Sequence, residues 1–285
     1  MNLCRFKHKS DAVRIGLVAA DGNLLDLAAA GLTRLTPLLE HENPAAELAR
    51  VAGKISSRVP LAEVQLLPPI EHQEVWAAGV TYLRSKTARM EESDFSATAY
   101  DQVYAAERPE IFFKSVPEKV VGPGEPVGIR RDAKWNVPEP ELALVLNSRG
   151  KIVGHTVGND MSSRDIEGEN LLYLPQAKIY ERSCALGPWI RVGVPEAEAR
   201  GWQIKLEIRR GQQAVFHGTT AVSQIKRRFD QLAEYLFRSQ KFPHGAVLLT
   251  GTGIVPADNF TLQAADEIEI EISGIGRLKN SVVVV

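Results

Sequence analysis

From residue 75 onward the apolar residues arrive in short runs, most of them separated by Gly, Pro, Asn or Asp: VWAAGV, EIFFKS, ELALVL, KIVGHTVG, WIRVGV, IKLEIRR, AVFHG, AVLLTG and DEIEIEISGIG. Runs of this kind, rich in Val and Ile and bounded by turn formers, suit strands and leave little room for long helices. LALVLNSRGKIVGHTVG reads as two strands joined at Ser148, Arg149 and Gly150, and IEIEISGIGRLKNSVVVV as a second hairpin. One helix interrupts the pattern, FDQLAEYLFRSQKF, in which Phe229, Leu232, Ala233, Leu236 and Phe237 recur at helical spacing and are expected to pack on the core. A mainly β (α+β) body follows, largely antiparallel, with a few packed helices.

The first 68 residues read as a separate small α+β unit. VRIGLVAADGNLLDL carries an Asp21-Gly22 hairpin signal, and helix-like segments follow around 34 to 52. Leu67-Pro68-Pro69 then breaks the pattern, because proline fixes its own φ and biases the preceding residue toward extended backbone. The expected division is a small N-terminal domain over 1–68 and a catalytic domain over 69–285. Segment 84 to 107, polar and dense in helix formers, fits a surface helix pair or a lid over a site.

The charge excludes some partners. With 34 basic and 35 acidic residues and a net charge of −1, no basic stripe is available to track a phosphate backbone, so no nucleic-acid partner is expected. The densest cationic run, Lys226, Arg227 and Arg228, is short and reads as a solvated helix face. Cys4 and Cys184, the 2 cysteines, lie far apart and offer neither a disulfide framework nor the paired spacing of a zinc site, which suits a reducing cytoplasm. MNLCRFKHKS lacks the apolar core of a signal peptide and no window suits a membrane span, so no membrane partner is expected.

Three acids carry the chemistry: Glu139 and Glu141 in Val137-Pro138-Glu139-Pro140-Glu141, and Asp160 in Gly158-Asn159-Asp160. Side chains at i and i+2 of a strand share a face. If the strand opening there is followed by an antiparallel return over IVGHTVGND, the return ends where the first strand began, which brings Asp160 to the two glutamates. Clustered carboxylates repel one another unless a proton or a cation intervenes, and a hard divalent cation with oxygen ligands resolves the conflict. The alternative is a set of exposed strand-end charges.

Beyond these acids, residues 107 to 191 contain RPEIFFK, VVGPGEPV, the ExE strand opening, GNDMSSRD and a lysine before CALGPWI, and LLTGTGIVP follows at 248 to 256. These elements, in this order, resemble the fumarylacetoacetate hydrolase superfamily over roughly residues 70 to 285. The resemblance implies a mixed β-roll around Mg²⁺ or Mn²⁺ held by Glu139, Glu141 and Asp160. It implies a small 2-oxo acid substrate that chelates the metal through carboxylate and keto oxygen, with Thr252 and Gly251 of TGTG at the carboxylate, where a plain tight turn is the alternative. It also implies Lys178 as the active-site lysine, and a homo-oligomer, dimer or tetramer. Arg164 of SSRD either orients an acid of the site or bonds backbone carbonyls.

The reaction is narrowed by one departure. Hydrolytic members commonly carry NYxxH after the first core strand, whereas this chain has Thr81-Tyr82-Leu83-Arg84-Ser85, with serine in place of the histidine that would activate water. GVTYLRSxxARMEES and SSRDIEGENxLYLPQAKIY resemble a narrower branch, the 2-keto-3-deoxy-D-arabinonate dehydratases, departing from it at Leu171, where proline is common. This resemblance implies Glu110 as the partner acid or base of Lys178, and Arg84 and Ser85 as substrate contacts. One of Lys178 and Glu110 would remove a C3 proton and the other would assist loss of the C4 hydroxyl, giving 2,5-dioxopentanoate. The alternative reaction is carbon-carbon hydrolysis, or isomerisation and decarboxylation, of an acylpyruvate-type acid.

Overall fold

In the computed structural model the described residues are all but 10, 11, 86 and 88–100, so most of the polar segment 84 to 107 lies outside them. The described strands are β1 (Asn2–Lys7), β2 (Arg14–Val18), β3 (Asn23–Asp26), β4 (Arg58–Pro60), β5 (Gln65–Leu67) and β6 (Glu74–Gly79). They continue with β7 (Glu110–Ser115), β8 (Val127–Ile129), β9 (Asn136–Val137), β10 (Pro140–Leu146), β11 (Ile152–Asp160) and β12 (Ser162–Ser163). The last six are β13 (Cys184–Val192), β14 (Gln203–Arg210), β15 (Gln213–Ala221), β16 (Ala246–Leu249), β17 (Glu267–Ile272) and β18 (Gly276–Val284).

An 11-stranded sheet runs β4-β3-β2-β1-β13-β11-β10-β16-β6-β7, with β5 also paired to β1, and a 5-stranded sheet runs β15-β14-β17-β18-β8. Both expected hairpins are present, β10–β11 and β17–β18. Two pairs, β16–β6 and β18–β8, are parallel, so the body is mixed rather than wholly antiparallel. Residues 1–68 add β1 to β5 to one edge of the large sheet, joined by the antiparallel pairing of β1 with β13.

β10 is buried on both faces, which explains why it is a continuous apolar run instead of an alternating one. Leu142, Leu144 and Leu146 pack toward the small sheet, with Ile204, Leu206, Ile268 and Ile270. Ala143 and Val145 point the other way, into a core shared with Leu3, Leu17 and Leu38 of the N-terminal unit.

The helix Phe229–Phe237 buries Phe229, Leu232, Ala233 and Leu236 as its spacing predicts. It ends before the expected Phe242, which turns back to place its ring 4.8 Å from that of Phe237. Pro243 biases Phe242 toward extended backbone and so opposes continuation of the helix. The expected solvated run Lys226–Arg228 needs correction. It precedes this helix, and Arg227 is buried, because its guanidinium is occupied by backbone carbonyls of a neighbouring segment.

The register gathers the chemistry at one end of the large sheet. β10 begins opposite the end of β11, with Pro140 facing Asn159. β16 runs antiparallel to β10 and parallel to β6, and β7 starts opposite the end of β6, with Glu110 facing Gly79. Two strand starts and three strand ends therefore meet on one edge.

Candidate active site

Glu139 lies one residue before β10 and Glu141 is its second residue, while Asp160 closes β11. The Asp160 backbone N–H donates to the Glu139 carbonyl at 3.0 Å, so the hairpin itself sets the distance between the acids. Carboxylate oxygens of Glu139, Glu141 and Asp160 all lie within 4.8 Å of one another. All three side chains are buried. Exposed strand-end charges, the alternative left open by the sequence, are not what the fold contains.

The cluster is partly neutralised by three buried cations. Lys178, at the end of the helix Leu174–Lys178, donates to Glu139 Oε2 at 2.8 Å, Asp160 Oδ2 at 3.4 Å and Ser162 Oγ at 2.6 Å. Arg164 places Nη2 2.9 Å from Glu139 Oε1, so its guanidinium touches an acid of the site. Lys114, from β7, is 2.5 Å from Asp160 Oδ1 and donates to the carbonyls of Met161 at 2.9 Å and Lys178 at 2.5 Å.

Glu141 is different. Its Oε2 accepts from the Gly251 N–H at 2.6 Å, and among the described residues it has no ion pair. Burial, followed by the charges of Asp160 and Glu139, holds its carboxyl well above the usual carboxylate range. A buried carboxylate in this position calls for a cation, and an all-oxygen donor set of three carboxylates fits Mg²⁺ or Mn²⁺. The residues present therefore suit a hard divalent ion.

Two glycines make room for the site. Gly251 has φ +91°, and a Cβ there would sit 2.1 Å from Thr81 Oγ1, so a side chain is excluded where the backbone N–H must reach Glu141. A Cβ on Gly79 would come within 2.0 Å of Glu110 Oε2, so glycine leaves the space that the Glu110 carboxylate occupies.

These groups border a narrow recess. Its walls include the three acids and Lys178 together with Glu110, Ser85, Gly251 and Thr252, so eight of the ten expected site residues share one cavity. Arg164 stands behind Glu139 instead of on the wall, and Arg84 is exposed and does not line the recess.

The model of the fumarylacetoacetate (FAA) hydrolase C-terminal family matches residues 74–283. The chain belongs to the fumarylacetoacetate hydrolase family. Among relatives of this family, a probable 2-keto-3-deoxyxylonate dehydratase of Haloferax volcanii is 42% identical over 284 residues, covering 99% of this chain and 96% of that protein. A 2-dehydro-3-deoxy-D-arabinonate dehydratase of Saccharolobus solfataricus is 42% identical over 219 residues, 76% of this chain and 74% of the relative. A solved structure of 2-keto-3-deoxy-D-arabinonate dehydratase complexed with magnesium and 2,5-dioxopentanoate superposes with a TM-score of 0.81 at 33% identity, over 100% of this chain and 99% of that one.

Within this member of the fumarylacetoacetate hydrolase family, four residues at the site escape a reading of the sequence. Lys114 and Phe112 stand in the same RPEIFFK motif as Glu110, and strand alternation places all three on one face of β7. That alternation is the signal that could find them. The Lys178 ammonium lies over the Phe112 ring at 5.8 Å from its centroid. Ser162, the first serine of SSRD, accepts from Lys178, and Glu167, one turn beyond Arg164, lines the recess.

Proposed function

We propose that the chain is a divalent-metal-dependent dehydratase of a 2-keto-3-deoxy pentonate, converting 2-keto-3-deoxy-D-arabinonate to 2,5-dioxopentanoate and water. The observation that carries the reading is the buried carboxylate triad with Lys178 bonded to two of its members and Glu110 on the wall of the same recess. Identity of 42% to two relatives named as dehydratases of such acids supports the choice of reaction. Ser85 supports it too, since it lines the recess where hydrolytic members of the family carry histidine.

Glu139, Glu141 and Asp160 would hold the ion, Mg²⁺ or Mn²⁺. When bound, it supplies Lewis-acid polarisation of the 2-keto oxygen, which acidifies C3. Lys178 and Glu110 form the proton-transfer pair: one takes the C3 proton, and the other gives a proton to the C4 hydroxyl, which leaves as water. A proton taken from C5 and one returned to C3 convert the 3,4-enone to the 4,5-enol, which ketonises by loss of its hydroxyl proton and protonation of C4 to give the 5-aldehyde. Arg164 orients Glu139, and Lys114 holds Asp160 against the end of the Lys178 helix. Thr252, with the backbone around Gly251, would receive the substrate carboxylate, Ser85 would contact the hydroxylated end, and Arg84 would approach it from outside the recess.

The remaining assignments are proposals of the same kind. They are a cytoplasmic location, consistent with two free buried cysteines, and a homo-oligomer of two or four subunits, tested by light scattering. No helix among the described residues is long and apolar enough to cross a membrane. The deciding assay offers purified protein a 2-keto-3-deoxy pentonate and an acylpyruvate, each with Mg²⁺ and with excess chelator. Chelator-sensitive formation of 2,5-dioxopentanoate is expected, with the acylpyruvate left uncut. Rapid acylpyruvate cleavage would overturn the reading in favour of a hydrolase.

A further inference from the structure

The chain leaves β6 through Val80 and Thr81 toward Ser85, and returns through residues 101 to 107 to Glu110 at the start of β7. Both stems thus deliver a side chain to the recess. A single dipeptide grips them both. The Lys226 backbone N–H donates to the Thr81 carbonyl at 3.0 Å on the outgoing stem. On the returning stem, Arg227 Nη1 donates to the Glu107 carbonyl at 3.0 Å, and Nη2 donates to those of Ala106 at 2.6 Å and Val103 at 3.1 Å.

Residues 101 to 105 are helical, so these carbonyls include those at a helix C-terminus, which lack partners within the helix and attract positive charge. Lys226 Nζ adds a bond to the Tyr104 carbonyl and lies 4.1 Å from the centroid of its ring. A planar guanidinium with several diverging donors suits three carbonyls that converge from one turn.

The dipeptide is itself braced from behind. Arg200 donates to the carbonyls of Ile225 at 2.9 Å and Arg227 at 2.7 Å, and Glu196 accepts from both Arg200 Nε at 2.8 Å and the Phe229 N–H at 3.2 Å. The order of support runs from the body of the protein to the loop before the helix Phe229–Phe237, and from there to both stems. None of these bonds involves β10 or β11, which carry the acid triad.

We propose that Lys226 and Arg227 form a clasp joining the two stems, and that Arg227 is a positioning residue that sets Glu110 and Ser85 relative to the acid triad. The positioning role rests on the dehydratase reading above; the clasp does not. Freed from Arg227, the returning stem loses three backbone contacts just before Glu110, while the triad keeps all of its own. Turnover therefore falls without loss of the ion.

The test compares Arg227→Met and Arg227→Lys with wild type by turnover of a 2-keto-3-deoxy pentonate, calorimetric Mg²⁺ affinity, and hydrogen exchange. Arg227→Met is expected to lower kcat by about 10-fold or more, as a small misplacement of a reacting group does, with Mg²⁺ affinity held within about 2-fold and Arg227→Lys intermediate. Amides at 101–107 should exchange faster while those at 140–160 do not change. Unchanged kcat, or a fall in Mg²⁺ affinity that matches the fall in kcat, overturns the positioning role. Should Arg227→Met fail to fold, Arg227→Lys carries the same comparison. If wild type does not turn over the pentonate, the function reading fails, and hydrogen exchange alone decides the clasp. Faster exchange confined to the stem then supports it, and unchanged protection at 101–107 overturns it.

Discussion

β10 is buried along its whole length and β11 from Val153 onward, yet the two parts of this hairpin are stabilised by opposing physics. From Leu142 to Leu146 every side chain is apolar and packs into one of two cores, so burial itself is favourable. At the other end Glu139, Glu141 and Asp160 are equally removed from water. There burial is unfavourable, and it is offset by the cations Lys178, Arg164 and Lys114, by the Gly251 N–H on Glu141 and, when bound, by a divalent ion. Equal burial therefore says nothing about what a substitution will do. In the apolar part a change should cost stability and spare chemistry, and in the charged part the reverse can hold.

The strongest test lies within the triad. Glu141→Gln and Asp160→Asn should each lower kcat/KM by about 1,000-fold or more, since Lewis-acid activation is worth several kcal/mol and each 1.4 kcal/mol is tenfold. Their stabilities should diverge. Asp160→Asn leaves the fully buried Lys114 and its neighbour Lys178 short of a counter-charge, which costs about 3–5 kcal/mol. Glu141→Gln removes a buried charge that burial and like charges disfavour, so the metal-free variant should melt at or above the wild-type temperature. Mg²⁺ should raise the melting temperature of neither variant. Equal destabilisation of the two would show that the three acids share one environment, contrary to their contacts.

In the apolar part, Leu144→Ala should cost about 2–5 kcal/mol by removing buried methyl groups and leaving a cavity. Denaturant melts would measure this loss, and the folded fraction should retain wild-type Mg²⁺ affinity. A fall in affinity would mean that the two parts of the hairpin are coupled.

His155, on β11, adds a smaller and pH-dependent effect. Its ring lies among Trp202 and Phe229, neither nitrogen has a hydrogen-bond partner among the described residues, and burial lowers its pKa to about 4. With the folded value below the unfolded one, the unfolded chain binds the proton first as pH falls. Stability from this group is complete above about 6.5 and declines as pH falls toward 4. Between pH 7 and pH 5 wild type should lose about 2 kcal/mol more than His155→Phe. Parallel urea curves for the two proteins would remove His155 as the cause.

How much of the molecule is legible in its sequence depends on whether the signal is local. The hairpin around Ser148–Gly150 follows from turn chemistry and apolar run length, and its register then obliges Asp160 to meet Glu139, so the triad can be read from the residues themselves. Lys178 is legible only through resemblance, because nothing local separates it from a surface lysine. Lys114 escapes although its alternation with Glu110 and Phe112 is visible, since a lysine closing an apolar strand reads as a charged end. Arg227 is misread because a cationic run looks solvated unless its distant carbonyl partners are known. The pairing of β1 with β13 joins residues about two thirds of the chain length apart, Asn2 with Arg191, and has no local signature. We keep the division at 68 as a proposal about chain order: deletion of 1–68 would strip a covered edge from β13 and expose half of a shared core.

Phe112 sharpens the contrast, because it is an apolar residue on the wall of the charged recess. Its ring packs against the core shared with the N-terminal unit and also lies beneath the Lys178 ammonium at 5.8 Å. Phe112→Leu keeps much of the apolar area and removes the ring quadrupole, an attraction worth about 0.5–1 kcal/mol. If the ring serves the charged region, kcat should fall about 2- to 5-fold because Lys178 is held less firmly. Mg²⁺ affinity should not change, and stability should drop by no more than about 1.5 kcal/mol, as for a swap between similar apolar side chains. Steady-state kinetics and a denaturant melt on one preparation separate the two roles. A stability loss of several kcal/mol with unchanged kcat would assign Phe112 to the core, and the boundary between the two kinds of burial would then run between this ring and the ammonium above it.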